Sequence, residues 1–232
     1  MISPARALAV VTGAGRGIGR AIALAFAKRG LDVALLGRHD DELARVAAEL
    51  ESLSARALPI RCDVADAREV EAAASRVLSA HGAPRFVVNN AGVVHRATIE
   101  ETSDEAWNQV LAVNLRGPFL VTRAFLPAMR ARRDGRIVQI ASISATLGTP
   151  RLSAYCASKW GLLGLHAALT EELRGSGLQA IAVLPGSVDT EMLRSSGFAP
   201  QMTPDDVARA VVDACLDAPA AIHGASIELF GA

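Results

Sequence analysis

A chain of 232 residues is long enough for one large α/β domain. Hydrophobic residues make up 51% of it and charged residues 21%, a composition that argues against disorder. The 24 basic residues balance the 24 acidic ones, so the sequence lacks the charge of a protein that binds nucleic acid or an anionic membrane surface. We therefore expect its partners to be small molecules or copies of itself.

Targeting, disulfide and metal signals are weak throughout the chain. No apolar run reaches the roughly 20 residues of a membrane span, and a glycine loop follows the N-terminus too early for a signal peptide, so we expect a cytoplasmic protein. The cysteines are odd in number and far apart, which fits neither a disulfide framework nor a zinc site. The histidines lack metal-ligand spacing, so we expect no metal. These are the three cysteines, Cys62, Cys156 and Cys215, and four of the five histidines, His81, His95, His166 and His223.

Short β-like runs alternate with amphipathic helical segments along the chain. Strands separated by helices of this length require right-handed crossovers and a parallel sheet covered on both faces. We therefore predict an α/β fold with a single Rossmann-type, doubly wound, seven-stranded parallel sheet, in one domain over residues 1–232. The predicted strands are 7–12, 32–37, 55–64, 85–92, 135–142, 178–186 and 225–230, and the predicted helices are 17–29, 41–51, 68–80, 103–113, 118–132, one that carries Tyr155, and 204–216.

Distinctive residues collect at the carboxyl ends of the predicted strands, which is where ligands bind in such sheets. Their common location predicts a single binding crevice. They are the glycine loop 12–20, Gly37 and Arg38, Asp63, the sequence NNAG at 89–92, Ser142, and the sequence PGSVDT at 185–190.

The glycine loop TGAGRGIGR, residues 12–20, follows a strand and begins a helix. Glycines there permit a tight turn and let the backbone approach a pyrophosphate, whose charge the N–H groups at the helix start favour. The loop lacks the Lys-Ser/Thr pair of a P-loop, and its spacing is T-G-x-x-x-G-x-G instead of G-x-G-x-x-G. The pattern indicates nucleotide binding without identifying the nucleotide.

Tyr155 and Lys159 lie four residues apart, so they share one face if the segment is helical. Tyr155 is the only tyrosine of the chain, and Lys159 is one of two lysines among its 24 Lys and Arg residues. A compact ammonium beside a phenol is chemically useful, and a guanidinium does not reproduce it. The alternative interpretation is a helix surface on which the two side chains are neighbours by chance.

Taken together, the ordered motifs resemble the classical short-chain dehydrogenase/reductase family, including the bacterial 3-oxoacyl-acyl-carrier-protein reductases. The resemblance rests on loop 12–19, NNAG at 89–92, Asn114, Ser142 placed 13 positions before Tyr155, the Y-x-x-x-K spacing and the Pro185-Gly186 pair. It implies hydride transfer between a nicotinamide and a carbonyl or secondary alcohol.

The resemblance implies a role for each polar residue of the reaction. Tyr155 would exchange a proton with the substrate oxygen, Lys159 would lower the pKa of the phenol and hold the nicotinamide ribose, and Ser142 would hydrogen-bond the substrate. Local sequence does not choose between Ser142 and Ser144, whereas the family spacing selects Ser142. Asn114 would hold a water that relays protons, and a buried amide at a helix kink is an equally good interpretation.

The phenol needs more than the lysine to act as a base at neutral pH. Bringing its pKa from about 10 to about 7 requires roughly 4 kcal/mol. An ammonium about 4 Å away supplies on the order of 1 to 4 kcal/mol, which is marginal. The positive charge of an oxidised nicotinamide would add to it.

Charge at the end of the second strand favours NADP(H), with NAD(H) possible. An acid there would bind the ribose hydroxyls of NAD, but the sequence has Arg38, and Arg16 would be a second cation beside a 2′-phosphate. We interpret the nearby Asp40 and Asp41 as a helix N-cap and a first-turn acid. The cofactor contacts that the resemblance implies are Gly13, Arg16, Gly17, Ile18, Gly19, Arg38, Asp63, Val64, Asn90, Ala91, Gly92, Tyr155, Lys159, Pro185, Gly186, Val188 and Thr190.

By resemblance, residues 191–202 form a short lid over the substrate. A 3-oxoacyl thioester is one candidate substrate, and a sugar, steroid or xenobiotic ketone is another. The competing class is a non-catalytic dinucleotide sensor, which would retain the loop and lack the proton-transfer residues. Trp107 and Trp160 lie in helices that pair subunits in the family, which suggests a homodimer or homotetramer, although core packing would explain them too. The predicted substrate contacts are Val94, Ser144, Leu147, Met192 and Phe198.

Overall fold

A computed structural model describes residues 6–194 and 196–231. Its strands are β1 (Leu8–Thr12), β2 (Asp32–Gly37), β3 (Ala57–Arg61), β4 (Phe86–Asn89), β5 (Gly135–Ile140), β6 (Leu178–Pro185) and β7 (Ser226–Leu229). Its helices are α1 (Gly17–Lys28), α2 (Asp40–Ser52), α3 (Ala67–His81), α4 (Asp104–Leu111), α5 (Gly117–Arg132), α6 (Ser153–Leu173), α7 (Glu191–Arg194) and α8 (Pro204–Leu216). A π-helical turn, Ala112–Arg116, joins α4 to α5.

The strands form one seven-stranded parallel sheet in the order β3-β2-β1-β4-β5-β6-β7. The order reverses between β1 and β4, which places a crevice beyond the carboxyl ends of these two strands. Among the described helices, none combines the length and the hydropathy of a membrane-spanning segment. The predicted α/β fold and its doubly wound parallel sheet are confirmed.

Each face of the sheet is buried under helices, which explains why the strands read as continuous apolar runs. In β1, Ala9 and Val11 point to the core under α1, α2 and α8, while Leu8 and Val10 point to the core under α3, α5 and α6. Both cores are closed to solvent. The loops at the strand ends are therefore the part of the fold that is free to bind ligands.

Two predictions at helix ends need correction. His39 occupies the N-cap of α2 with extended backbone and no side-chain cap within the described residues, so Asp40 is a first-turn acid and not the N-cap. The reason is that helical geometry already begins at Asp40, where a carboxylate still favours the helix dipole. The break predicted between residues 113 and 118 is also wrong, because the π-helical turn continues the helix into α5.

Other local predictions are confirmed or remain predictions. The Thr203 hydroxyl accepts a hydrogen bond from the Asp206 N–H, and the Asp206 carboxylate accepts from the Thr203 N–H, which completes a capping box at the start of α8. Trp160 is 54% exposed, so core packing does not explain the presence of a tryptophan at this position. The homodimer or homotetramer that Trp107 and Trp160 suggested stays a prediction.

His166 makes stability depend on pH. Its ring is 3% exposed, and burial lowers its pKa below the usual value near 6.5. The unfolded chain therefore binds the proton more tightly, and the free energy of unfolding falls as pH drops below about 6.5, by at most about 1.4 kcal/mol per pH unit from this group. Urea titrations between pH 7.5 and pH 5 measure the slope. His166→Gln should flatten it and the exposed His39→Gln should not; equal slopes in all three proteins would contradict the assignment.

Candidate active site

A cleft of about 1020 Å³ opens at the carboxyl ends of the strands. It is walled by the loops after β1 to β6 and by the segment that contains α7. All but three of the sequence-predicted site residues line it. Those that do are Gly13, Arg16, Gly17, Ile18, Arg38, Asp63, Val64, Asn90, Ala91, Gly92, Val94, Ser142, Ser144, Tyr155, Lys159, Pro185, Gly186, Val188, Thr190, Met192 and Phe198.

Gly19, Asn114 and Leu147 do not line the cleft. A Cβ on Gly19 would lie 2.2 Å from the carbonyl oxygen of Gly13, so this glycine permits the loop to pack against α1. Asn114 is fully buried, and Leu147 is 54% exposed outside the cleft wall. Ser195 of the predicted lid lies outside the described residues.

The glycine loop has the features that an anionic pyrophosphate requires. Gly13 and Gly17 have φ of 63° and 53°, which glycine adopts readily. Arg16 occupies the N-cap of α1, and among the described residues no side chain caps the helix and no acid lies in its first turn. The first N–H groups of α1 are thus left for an anion, and the residues present fit a dinucleotide.

Side chains tie this loop to the NNAG segment. The Thr12 hydroxyl accepts hydrogen bonds from the N–H groups of Asn90 and Ala91 at 2.9 and 3.0 Å. The Asn90 amide donates in return to the carbonyl oxygen of Thr12 at 2.9 Å and to that of Gly13 at 3.3 Å. Asn90 therefore lies in the turn that ends β4 and also fixes the glycine loop, which would hold the cofactor.

The side-chain amide of Asn114 forms hydrogen bonds with other residues of the protein. Its Oδ1 accepts from the Val93 N–H at 2.8 Å, and its Nδ2 donates to the Val93 carbonyl at 2.9 Å and to the Ser158 hydroxyl at 3.1 Å. The Ser158 hydroxyl donates to the carbonyl oxygen of Tyr155 at 2.7 Å. This geometry supports the interpretation of Asn114 as a buried amide that positions the helix of Tyr155.

Tyr155, Ser142 and Lys159 converge on one wall of the cleft. The Ser142 side chain is close enough to the Tyr155 phenol to lower its pKa. The Lys159 ammonium lies 5.7 Å from the centre of the Tyr155 ring and donates to the Ile140 carbonyl at 2.8 Å. The Ser144 N–H donates to the Ser142 hydroxyl at 3.1 Å. Ser142, and not Ser144, acts on the Tyr155 phenol, which agrees with the spacing that selects Ser142.

Burial acts on the phenol and the ammonium in opposite directions. It raises the pKa of Tyr155, and the Ser142 side chain and the charge of Arg96 oppose that rise. Burial also lowers the pKa of Lys159 to about 8. At neutral pH the phenol therefore keeps its proton, which suits a proton donor in carbonyl reduction.

The end of the cleft beside the glycine loop and the end of β2 carries both signs of charge. Arg16 forms an ion pair with Glu191 and lies 3.8 Å from Glu42, so it is already engaged by carboxylates. Arg38 is exposed at the cleft, and within the described part of the chain no carboxylate pairs with it. Glu42 lies against the glycine loop, where a Cβ on Gly15 would be 2.8 Å from its Oε2. Sequence reasoning missed Glu42 because it lies a helical turn beyond the strand end.

The loop after β4 contributes a cation to the cleft that sequence reasoning also missed. Arg96 lines the cleft and donates from Nη2 to the carbonyl oxygen of Met192 in α7 at 3.0 Å. Its position four residues after NNAG was the available signal, since that loop leaves the carboxyl end of β4. Across residues 6–194 and 196–231, no group of three or more His, Cys, Asp or Glu side chains could hold a metal ion.

Known proteins share both the sequence and the fold of this chain. The sequence model of the short chain dehydrogenases matches residues 7–199. The chain belongs to the short-chain dehydrogenase family. A D-threitol dehydrogenase of Mycolicibacterium smegmatis is 36% identical, with 97% of this chain and 91% of that protein aligned. The short chain dehydrogenase pigC of Monascus ruber is 42% identical over 79% of this chain, which spans 63% of that protein, less than two thirds of its length.

A solved structure supports the same assignment. An alcohol dehydrogenase from the archaeon Thermococcus sibiricus, complexed with 5-hydroxy-NADP, aligns with a TM-score of 0.87 at 31% identity and covers 96% of this chain and 95% of its own. Membership in the short-chain dehydrogenase family makes this chain an oxidoreductase that binds a nicotinamide cofactor. These relatives do not single out the 3-oxoacyl-acyl-carrier-protein reductases.

The single tyrosine allows its ionisation to be measured directly. Because burial raises the pKa of Tyr155, the phenolate absorbance of the free protein should appear above the usual value near 10. Arg96→Gln should raise the pKa further, since it removes an opposing positive charge, and Arg76→Gln, an exposed site outside the cleft, should not. Ultraviolet difference titration, with circular dichroism to verify folding, measures all three. A midpoint below 10 in the free protein would contradict this geometry.

Proposed function

We propose that this short-chain dehydrogenase prefers NADP(H) and interconverts a carbonyl and a secondary alcohol with Tyr155 as the general acid and base. The observation that carries the proposal is the convergence of Tyr155, Ser142 and Lys159 on one wall of a cleft that begins at the glycine loop. Glycine-loop N–H groups would hold the pyrophosphate, and Lys159 would reach the ribose. The 3-oxoacyl thioesters remain one candidate substrate class.

The glycine loop and Lys159 would hold a nicotinamide cofactor, which would supply or accept the hydride. In reduction, the Tyr155 hydroxyl donates its proton to the carbonyl oxygen while the Ser142 hydroxyl hydrogen-bonds the same oxygen. The charged Lys159 stabilises the phenolate that remains, which then regains a proton from water. Asn114 holds the helix of Tyr155 through Ser158 and acts as a positioning residue.

Arg38 supports the preference for NADP(H). It is a cleft cation without a carboxylate partner among the described residues, and a guanidinium binds a phosphate through two parallel hydrogen bonds. Arg16 is engaged by Glu191, so it contributes less than the sequence suggested. Glu42 opposes a phosphate at this end of the cleft, which makes the preference a balance between Arg38 and Glu42.

A panel of ketones and 3-oxoacyl thioesters with NADPH tests the reaction. Wild type should turn over at least one carbonyl, and Tyr155→Phe should lower kcat about 10²- to 10⁴-fold, as expected for loss of a general acid. The variant should bind NADPH as wild type does in a fluorescence titration. Cofactor binding without turnover in wild type would favour a dinucleotide sensor.

Charge substitutions test the cofactor preference. Arg38→Ala should raise the Kd for NADPH about 10- to 100-fold and change that for NADH little, since only NADPH carries the 2′-phosphate. Glu42→Gln should lower the Kd for NADPH because it removes a repelling charge. Arg45→Ala, exposed on α2 outside the cleft, is the matched control. Tighter binding of NADH than of NADPH by wild type would refute the preference.

A further inference from the structure

Arg96, in the loop after β4, places a positive charge in the cleft. It lines the same wall region as Tyr155 and Ser142, and it is close enough to act electrostatically on the Tyr155 phenol. Its Nη2 donates to the Met192 carbonyl, which belongs to α7. The guanidinium is therefore held at the boundary between the reacting groups and the segment that covers them.

The five arginines that line the cleft divide into two groups, those with a carboxylate partner and those without one among the described residues. Arg16, Arg20 and Arg194 each have a carboxylate partner. Arg38 and Arg96 have none among the described residues, and Arg38 lies beside the end of β2, where the proposed function gives it the cofactor phosphate. Arg96 is thus the cleft arginine near Tyr155 that no carboxylate of the described chain pairs with.

The hydrogen bonds of Arg96 are also incomplete. Its Nε is shielded from solvent and has no acceptor within the described part of the chain. A guanidinium has five N–H donors, and within residues 6–194 and 196–231 the Arg96 side chain uses only Nη2 in a hydrogen bond. Buried donors are normally satisfied, and an anion bound in the cleft would supply the missing acceptor.

We propose that Arg96 binds an oxyanion on the substrate, so that the protein acts on a ketone or secondary alcohol that carries a carboxylate or a phosphate. The inference rests on the proposed function, which supplies the reaction at Tyr155. A carboxylate and a phosphate offer guanidinium the same paired oxygen acceptors. The anion would fix the distance between the charged group and the reacting carbonyl, which orients the substrate against Tyr155.

An alternative role for Arg96 is purely structural or electrostatic. Its hydrogen bond to Met192 ties it to α7, and its charge acts on Tyr155. Either role would affect charged and neutral substrates alike. Selectivity between a charged substrate and its neutral analogue therefore separates anion binding from these roles.

The test uses keto acids of increasing spacer length and the methyl ester of each. Wild type should favour the best acid over its ester, and Arg96→Gln should lower the ratio of their kcat/KM values about 10- to 100-fold, mainly through KM. Arg96→Lys should restore part of the ratio, since it keeps the charge without the paired donors. Arg76→Gln makes the same change in net charge outside the cleft and should leave the ratio at the wild-type value. Keto phosphates and the matching keto alcohols, measured in parallel, distinguish phosphate from carboxylate.

Calorimetric titration of the same acid and ester into the protein saturated with NADP⁺, which has no hydride to transfer to a ketone, decides the question without turnover. Tighter binding of the acid that depends on Arg96 would support the proposal even if no carbonyl were reduced, in which case the proposed function would fail and the anion site would stand. Equal losses for acid and ester in Arg96→Gln, or a wild-type preference for the neutral analogue in both series, would overturn it.

Discussion

The hydrogen bonds between Thr12 and Asn90 hold together the two loops on which the candidate site depends. Thr12 ends β1 and Asn90 follows β4, and these strands are neighbours at the point where the strand order reverses. Beyond their last paired residues the backbone ladder stops, so side chains must fix the loops. The Thr12 hydroxyl and the Asn90 amide do so reciprocally. The close approach that results is also why a Cβ on Gly19, 2.5 Å from Asn90 Nδ2, would not fit.

The same loop is linked to the candidate catalytic helix through a second set of hydrogen bonds. Both backbone groups of Val93 bind the amide of Asn114, which binds Ser158, which binds the carbonyl oxygen of Tyr155. Asn114 lies in the π-helical turn, and such turns are frequent at functional sites. The wider turn lets α4 continue into α5 while this amide binds the loop that follows β4. The cofactor loop and the Tyr155 helix are therefore positioned by one connected network.

The sequence was sufficient to predict the fold and most of the cleft, because apolar periodicity and strand-end residues are local signals. It was insufficient where a side chain chooses among distant partners. Arg16 pairs with Glu191, 175 residues away along the chain, and no local pattern shows that pairing. Asn114 had two equal interpretations until its contacts with Val93 and Ser158 were known. Arg96 lay in a predicted loop, but only its position in the cleft and its lack of a carboxylate partner in the described chain distinguish it from other arginines.

Two arginines of the cleft, Arg38 and Arg96, are distinguished from its other arginines because no carboxylate of the described residues pairs with them. A cation at a protein surface is well solvated, so an exposed arginine alone indicates little. A cleft limits that solvation, and ligand binding limits it further. The attraction between an unpaired cation there and a complementary anion is therefore stronger than at an open surface. Arg38 and Arg96 stand at opposite ends with Tyr155 near one of them. In the proposed reaction between a phosphorylated cofactor and an anionic substrate, that separation would keep the two anions from repelling each other across the site of proton transfer.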